Sequence, residues 1–357
     1  MTHIKRPDND ILKNTNRQPI DNELRPSVIK DYIGQEKVKE RILMCSESAK
    51  NQAKVLDHVL FTGAPGLGKT TLAHIIANVM GANIITITAT TITRINDLAR
   101  ILIKLKEGDV LFIDEIHRLR KVIAEGIYMA MEDFRIDFFM DKETLDKVDQ
   151  FNEGVYIKTS NKTGGIVNLP MNKFTLIGAT TRQGILPKPL LDRFGIKESL
   201  DFYSPDELSM IVKKSAKTLG FVISDMGAVE IGKRARGTPR IANRLLKRVI
   251  DYAVVNSEDT INSLIVEMAL DLFEIDDIGL DKDDRKLLRV LTEIFQSKPV
   301  GIGTLCGAMN EEKETVEDII EPYLIQAGLI EKTSRGRIAT QKAVNHMRYD
   351  NIDKETV

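Results

Sequence analysis

Cysteine, long apolar runs and net charge are all scarce in this sequence, and each shortage removes a class of function. Two cysteines, Cys45 and Cys306, lie far apart with no C-x-x-C partner, so they read as buried small residues in a reducing, cytoplasmic setting rather than as a disulfide framework. No apolar run approaches a membrane span, and the start, Met-Thr-His-Ile-Lys-Arg-Pro-Asp, lacks the apolar centre of a secretory signal. The 51 Lys and Arg residues nearly cancel 52 Asp and Glu, leaving a formal charge of −1. Any nucleic-acid binding must therefore come from a local basic patch. A length of 357 residues is too great for one core and implies two or three domains.

What is present centres on Gly63-Ala-Pro-Gly66-Leu67-Gly68-Lys69-Thr70-Thr71, a phosphate-binding loop of the form G-x-x-x-x-G-K-[ST]. The apolar run His58 to Thr62 predicts the strand before it. The periodic run Leu72 to Met80, stopped by Gly81, predicts the helix after it. Glycines let backbone N–H groups wrap a polyphosphate at a helix N-terminus. Lys69 then reaches the β- and γ-phosphates, and Thr70 offers a hydroxyl to Mg²⁺. This predicts a nucleoside triphosphate site.

Further on, Asp109-Val-Leu-Phe-Ile-Asp114-Glu115 reads as a buried parallel strand that delivers two acids to its C-terminal end. Asp114 suits a water-mediated Mg²⁺ contact and Glu115 a general base. A third apolar strand, Phe174 to Gly178, leads into Ala179-Thr180-Thr181-Arg182, placing Thr181, with Thr180 next to it, between the two catalytic strands. Arg193 follows a Pro-broken loop and reads either as a surface ion-pair partner or as a residue aimed at a neighbouring subunit's nucleotide.

From Ser204 onward strands give way to helices, expected at 206–219, 225–236, 239–256 and 260–274. Thr238 makes a good N-cap and Pro239 a good first helical residue. Arg240 is left in the first turn against the helix dipole, where a nearby anion would suit it. After the acidic connector Asp276 to Asp281, three helical segments and a strand–turn–strand predict a winged helix. Its third helix carries Glu314, Glu317, Asp318 and Glu321 against Lys313, a charge pattern that major-groove phosphates would repel. Duplex contact is therefore expected at the wing. There Lys332, Arg335 and Arg337 flank Gly336 and should project together into solvent.

Several strings closely resemble the RuvB family of AAA+ ATPases, which drive branch migration of Holliday junctions. They are the phosphate loop, Val-Leu-Phe-Ile-Asp-Glu-Ile-His-Arg-Leu, Met131-Glu-Asp-Phe134, Thr175-Leu-Ile-Gly-Ala-Thr-Thr-Arg182, Asp192-Arg-Phe-Gly-Ile196, Arg236-Gly-Thr-Pro-Arg-Ile-Ala-Asn-Arg-Leu-Leu246 and Glu321-Pro-Tyr-Leu-Ile-Gln326. The resemblance implies an α/β AAA+ P-loop core with a parallel sheet, an all-helical lid and a C-terminal winged-helix domain. On this reading the divisions are a tail at 1–20, the ATPase domain at 21–203, the lid at 204–276, the winged helix at 277–345 and a tail at 346–357.

By position, the resemblance implies that Leu24, Arg25 and Tyr203 border the adenine, and that Gly66, Leu67, Gly68, Lys69, Thr70 and Thr71 hold phosphates and Mg²⁺. Glu132, Asp133 and Phe134 would line the pocket. Arg193 looks like the arginine finger acting in trans, and Arg240 like the second sensor. Lys313, Lys332 and Arg337 match DNA-contacting positions, although Lys stands at the first two where Arg is usual, losing a bidentate fork on phosphate. Implied partners are double-stranded DNA at a four-way junction, RuvA docked on a hairpin within 135–173, RuvC, and further copies of the chain in a hexameric ring.

The sequence also departs from the family pattern. Leu191 stands where an Arg is common, and Ala64 replaces a proline. The 135–173 segment is longer than usual and acidic, with Asp137, Asp141, Glu143, Asp146, Asp149 and Glu153 against Lys142 and Lys147. Two other readings compete with the motor: a clamp or helicase loader, and an ATP-switched transcription regulator. The loader would not be expected to end in a basic wing. The regulator would need a third helix compatible with the groove, whereas a motor needs backbone charge and indifference to sequence.

Overall fold

The structure, a computed structural model, describes residues 24–141, 156–161 and 163–355 and partitions at Tyr203/Ser204 into two compact units. In the first, five parallel strands lie in the order β2-β3-β7-β1-β8. They are β1 (Val59–Thr62), β2 (Ile84–Thr88), β3 (Val110–Asp114), β7 (Thr175–Thr180) and β8 (Ile196–Ser199). β1 and β7 are buried along their whole length and β3 up to Asp114, as expected of strands covered on both faces. Five helices accompany them among the described residues: α1 (Glu36–Asn51), α2 (Lys69–Met80), α3 (Ile95–Leu102), α4 (Lys121–Glu132) and the short α5 (Lys188–Asp192).

The strand order places β7 between the phosphate-loop strand and the acidic strand, with Thr62 opposite Thr180 and Ile113 opposite Gly178. Below the sheet, His58 fixes β7 from the N-terminal end of β1. Its Nδ1 accepts the Leu176 N–H at 2.8 Å, so Nε2 carries the proton toward the Met131 carbonyl at 3.1 Å. Burial lowers the pKa of this ring and favours the neutral tautomer that both bonds require.

The 135–173 segment contains a separate three-stranded antiparallel sheet, β4 (Arg135–Asp141), β6 (Gly164–Pro170) and β5 (Tyr156–Asn161), in that spatial order. The hairpin expected across Gly164-Gly165 instead turns just before them, since Gly164 pairs with both Asn161 and Asp141. β4 is a strand that the acidic reading overlooked. Ile136 and Phe138 alternate inward while Phe139 faces out. Lys142, Glu143, Asp146, Lys147, Asp149 and Glu153 lie outside the described residues, as does the tail expected at 1–20.

The second unit opens with lid helices α6 (Pro205–Thr218), α7 (Asp225–Arg234), α8 (Pro239–Val255) and α9 (Ser263–Leu272), with a short parallel pair, β9 (Val222–Ile223) and β10 (Thr260–Ile261), between them. Ser204 and Glu207 form a capping box on α6, and the Ser224 and Asn262 side chains cap α7 and α9. Thr238 occupies the N-cap of α8 but makes no capping bond, and its hydroxyl is buried without a partner.

The winged helix follows with α10 (Lys282–Arg289), α11 (Ile302–Met309) and an interrupted third helix. That helix runs α12 (Lys313–Thr315), a π-helical stretch Val316–Ile320, and α13 (Glu321–Gln326). The wing is β11 (Ile330–Thr333) paired antiparallel with β12 (Gly336–Ala339). A last helix, α14 (Gln341–Glu355), crosses the tail boundary expected at 345, because Ala343 and Met347 pack into the winged-helix core. The cysteines differ from expectation too: Cys45 and Cys306 are half-buried.

Candidate functional site

The phosphate loop leaves the buried end of β1 and turns into α2 through three glycines of positive φ, Gly63, Gly66 and Gly68. At Gly68 (φ 102) a Cβ would stand 2.5 Å from the Tyr32 hydroxyl, so glycine is required both by conformation and by that close approach. The buried Lys69 ammonium caps its own loop, donating to the carbonyls of Gly63 at 2.8 Å and Ala64 at 2.9 Å. Thr70 and Thr71, in the first turn of α2, are half-buried. Leu67 is fully buried, and its carbonyl accepts from the phenols of Tyr32 at 3.2 Å and Tyr203 at 3.3 Å. Leu24 and Arg25 begin a segment that runs beside α2: Asn78 donates to the Ser27 carbonyl at 2.8 Å. The His74 pKa is lowered by burial and then by the Arg25 charge.

β3 delivers Asp114 and Glu115 to the same edge of the sheet. Glu115 takes a left-handed conformation (φ 52), and its N–H donates to Asp114 Oδ1 at 3.0 Å. This backbone turn points two consecutive carboxylates out of one strand end. His117 then links the acids to the neighbouring strand. Its Nδ1 lies 3.3 Å from Glu115 Oε2 and 2.9 Å from Thr180 Oγ1. Thr180 is wholly buried and also accepts the Arg182 N–H at 3.0 Å, whereas Thr181 is half-buried at the strand end. Thr180 is thus engaged within the protein, and Thr181 follows it, half-buried, just beyond the end of β7.

Glu132, Asp133 and Phe134, expected to line the nucleotide pocket, lie at the other end of the strands from this chain's own phosphate loop. α4 runs antiparallel to the strands, so its C-terminal end arrives at the opposite edge of the sheet. Phe134 packs there on His58 and Phe174, the residues preceding β1 and β7. Arg193 is at that edge as well. It pairs with Glu132, donates to the carbonyls of Pro189 at 2.8 Å and Tyr128 at 3.3 Å, and lies 5.4 Å over the Tyr128 ring. A cleft of about 740 Å³ opens beside it, lined by Lys54, His58, Phe134, Lys173 and Arg193 among others.

On the wing the three basic residues part company. Lys332 and Arg335 are exposed, but Arg337 is 6% exposed and turns inward onto the third helix. Its Nε donates to Glu321 at 2.5 Å and its Nη2 to Glu317 at 2.7 Å. Arg337 stands directly opposite Lys332 across the strands, so both side chains leave the same face toward Glu317, and Arg337 is the one covered by the third helix. The expectation that all three project together is corrected for this residue. Two acids of the third helix, Glu317 and Glu321, find their partner in the same residue. Glu317 is ringed by Arg337, by Lys332 at 3.8 Å and by Lys313 at 3.9 Å.

Comparison with known proteins decides the family. The description "Holliday junction DNA helicase RuvB P-loop domain" matches residues 24–200, the RuvB AAA lid domain residues 203–276, and the RuvB C-terminal winged helix domain residues 277–348. The chain belongs to the RuvB family. Among solved structures it is similar to the RuvB Holliday junction branch migration motor of Thermotoga maritima, with 44% identity and a TM-score of 0.78 over 91% of this chain and 98% of that one. A substituted form of the same Thermotoga protein matches at 44% identity and a TM-score of 0.79, over 92% of this chain and 99% of that one.

Within this RuvB-family chain, Arg240 stands exposed in the first turn of α8, in the second unit. The sequence reading missed Tyr32 and His117. Tyr32 lies inside the string before α1, and its phenol meets Tyr203 at 2.9 Å; burial, with Tyr203 alongside, raises its pKa well above 10.0. His117 sits two residues after Glu115, the one signal that could have drawn attention to it.

Proposed function

We propose that the chain is an ATP-hydrolysing DNA motor that acts as a hexameric ring on Holliday junctions, with RuvA as its docking partner and RuvC acting on the same junction. The observation that carries this reading is the convergence of Lys69, the Asp114–Glu115 pair and Thr181 at one edge of three adjacent strands, in a chain that also ends in a winged helix. Lys69 and the loop N–H groups hold the phosphates, while Leu24, Arg25 and Tyr203 border the base. Thr70 and Asp114 offer the hard oxygen donors that suit Mg²⁺, which when bound neutralises charge on the β- and γ-phosphates.

Glu115 accepts the proton of the attacking water, and Thr181 orients toward the γ-phosphate. His117 holds Glu115 against β7 until that water is in place. Arg193 and its companions Glu132 and Asp133 belong to the edge offered to the next subunit's nucleotide. Releasing Arg193 from a half-exposed pair costs about 0–1 kcal/mol, little against what a phosphate would return. Arg240 is the lid's cation toward the same nucleotide.

Lys313, Lys332 and Arg335 carry the duplex contact, with Arg337 acting from behind as their anchor. The β4–β6–β5 sheet is the RuvA face, and the exposed Phe139 and Ile166 supply its apolar contact. The alternatives, a loader or a regulator, gain no support from any of these features. The test is ATP-dependent dissociation of a synthetic four-way junction, with and without RuvA. The reading requires dissociation with ATP and none with a non-hydrolysable analogue.

A further inference from the structure

Arg236 belongs to neither the nucleotide site nor the wing, yet its side chain joins the lid to the winged-helix domain. It stands four residues before Arg240, between the end of α7 and the start of α8, in a left-handed conformation (φ 51). Its guanidinium leaves the lid altogether. Nε donates to the Gly279 carbonyl at 2.7 Å, and Nη2 reaches Asp281 Oδ2 at 2.9 Å and Asp284 Oδ2 at 2.5 Å. Its carbon lies 5.0 Å over the ring of Tyr323, whose hydroxyl donates to the Ile278 carbonyl at 2.6 Å. One cation therefore gathers the connector, the N-terminus of α10 and the third helix of the winged domain.

The backbone is drawn in equally closely. At Gly279 (φ 82) a Cβ would stand 2.2 Å from the Arg234 carbonyl, so the connector lies directly against the end of α7. Asp276 closes the far side, accepting the Ile278 and Leu280 N–H groups and pairing with His346 of α14 at 2.9 Å. A surface ion pair would not serve a mechanical purpose, because it is weak and solvated. This guanidinium, with a fork on two carboxylates, a carbonyl and an aromatic face, has the rigid geometry that Arg provides and Lys does not.

We infer that Arg236 is a positioning residue that locks the loop carrying Arg240 to the winged-helix domain, so that lid movement during the ATP cycle is delivered to DNA as movement of the wing. This rests on the motor reading above. Coupling of this kind is a free-energy link between sites carried by an element that moves as one piece.

The test uses full-length Arg236→Ala and Arg236→Lys proteins. For Arg236→Ala, ATP turnover without DNA and duplex affinity should stay near the parent values, while ATP consumed per junction dissociated rises on the order of tenfold. Arg236→Lys should fall between. Parent-like consumption per junction in folded Arg236→Ala protein would overturn the inference. Should that variant not fold, Asp281→Asn keeps the cap of α10 and removes one charged partner, and it must show the same uncoupling in weaker form. A second readout does not depend on junction activity. Nucleotide binding should alter amide exchange over residues 277–290 in the parent and not in Arg236→Ala. An unaltered response in the variant would sink the lock, whereas a parent protein that never dissociates junctions would sink the motor reading instead.

Discussion

Arg337 points its Nη2 at Glu317, 2.7 Å away, from inside the wing rather than from its solvent face. The same guanidinium holds Glu321, whose side chain is 2% exposed, so the wing and the third helix are joined by a covered ion pair. Two residues of like charge on one turn, Arg335 and Arg337, consequently differ in kind. Arg335→Ala should leave stability within about 0.5 kcal/mol and flatten the salt dependence of duplex binding by about one unit. Arg337→Ala should instead strand a buried carboxylate and cost about 3 kcal/mol, the lower end for breaking a buried pair. Denaturant titrations and fluorescence anisotropy at several salt concentrations separate the two. Equal salt slopes for both variants would show that Arg337 meets phosphate after all.

Glu317 competes with DNA for the cations around it. Its hydrogen bond from Arg337, assisted by Lys313, Lys332 and Arg337 charge, lowers its pKa, so it stays ionised near neutrality. Glu317→Gln should therefore free Lys313 and Lys332 and raise duplex affinity several-fold at low salt. By releasing more counterion on binding, it should also steepen the salt dependence. Weaker binding in the variant would mean that Glu317 organises these lysines rather than restraining them.

Much of the nucleotide site was legible because it is written in contiguous strings. The phosphate loop, the acidic strand end and the Thr-Thr strand each carry their own strand signal, and the structure sets β7 between the other two. Spatial partnerships were not legible in this way. Nothing in the string around Arg337 reveals that its partners lie 16 and 20 residues upstream. Likewise Glu132, Asp133 and Phe134 follow an apolar helix, but only the antiparallel course of that helix sends them to the far edge of the sheet. β4 was hidden because its acids, Asp137 and Asp141, drew the reading toward charge and away from the alternation of Ile136 and Phe138.

The position of Arg193 makes a prediction about assembly. Its partners are all on the edge away from its own phosphate loop, so it should serve another subunit. Arg193→Ala and Lys69→Ala proteins should each be inactive, the first while still binding ATP, since a finger is worth about 10³–10⁵ in rate. Mixed together they should regain turnover where an intact loop meets an intact Arg193. Rings demonstrated to be mixed, yet dead at every ratio, would rule out action in trans.

Asp284 makes a prediction about pH. Burial is the main cause that raises its pKa from 3.8 to about 7, with Asp281 adding to the rise and Arg236 opposing it. Because the folded state holds this proton more tightly, the site's contribution is full below pH about 4 and is lost as pH climbs to about 7. Asp284→Asn should flatten the stability profile across that window and be at least as stable as the parent at pH 8, a relative gain of roughly 2–4 kcal/mol. Melting curves at pH 5 and pH 8 provide the check. Parallel losses in the two proteins would mean that this carboxyl does not titrate there.

The central claim is that hydrolysis at this phosphate loop moves DNA at a four-way junction, and Glu115→Gln tests it most directly. The substitution keeps the backbone turn after Asp114 and the size of the side chain but removes the base. Dissociation of a labelled synthetic four-way junction should be followed for the parent and the variant at saturating ATP, with nucleotide binding measured alongside. The account predicts parent-like ATP binding and duplex binding, hydrolysis reduced by about 10²-fold or more, and junction dissociation lost to the same degree. A variant that binds ATP, fails to hydrolyse it and still dissociates the junction at the parent rate would contradict the account.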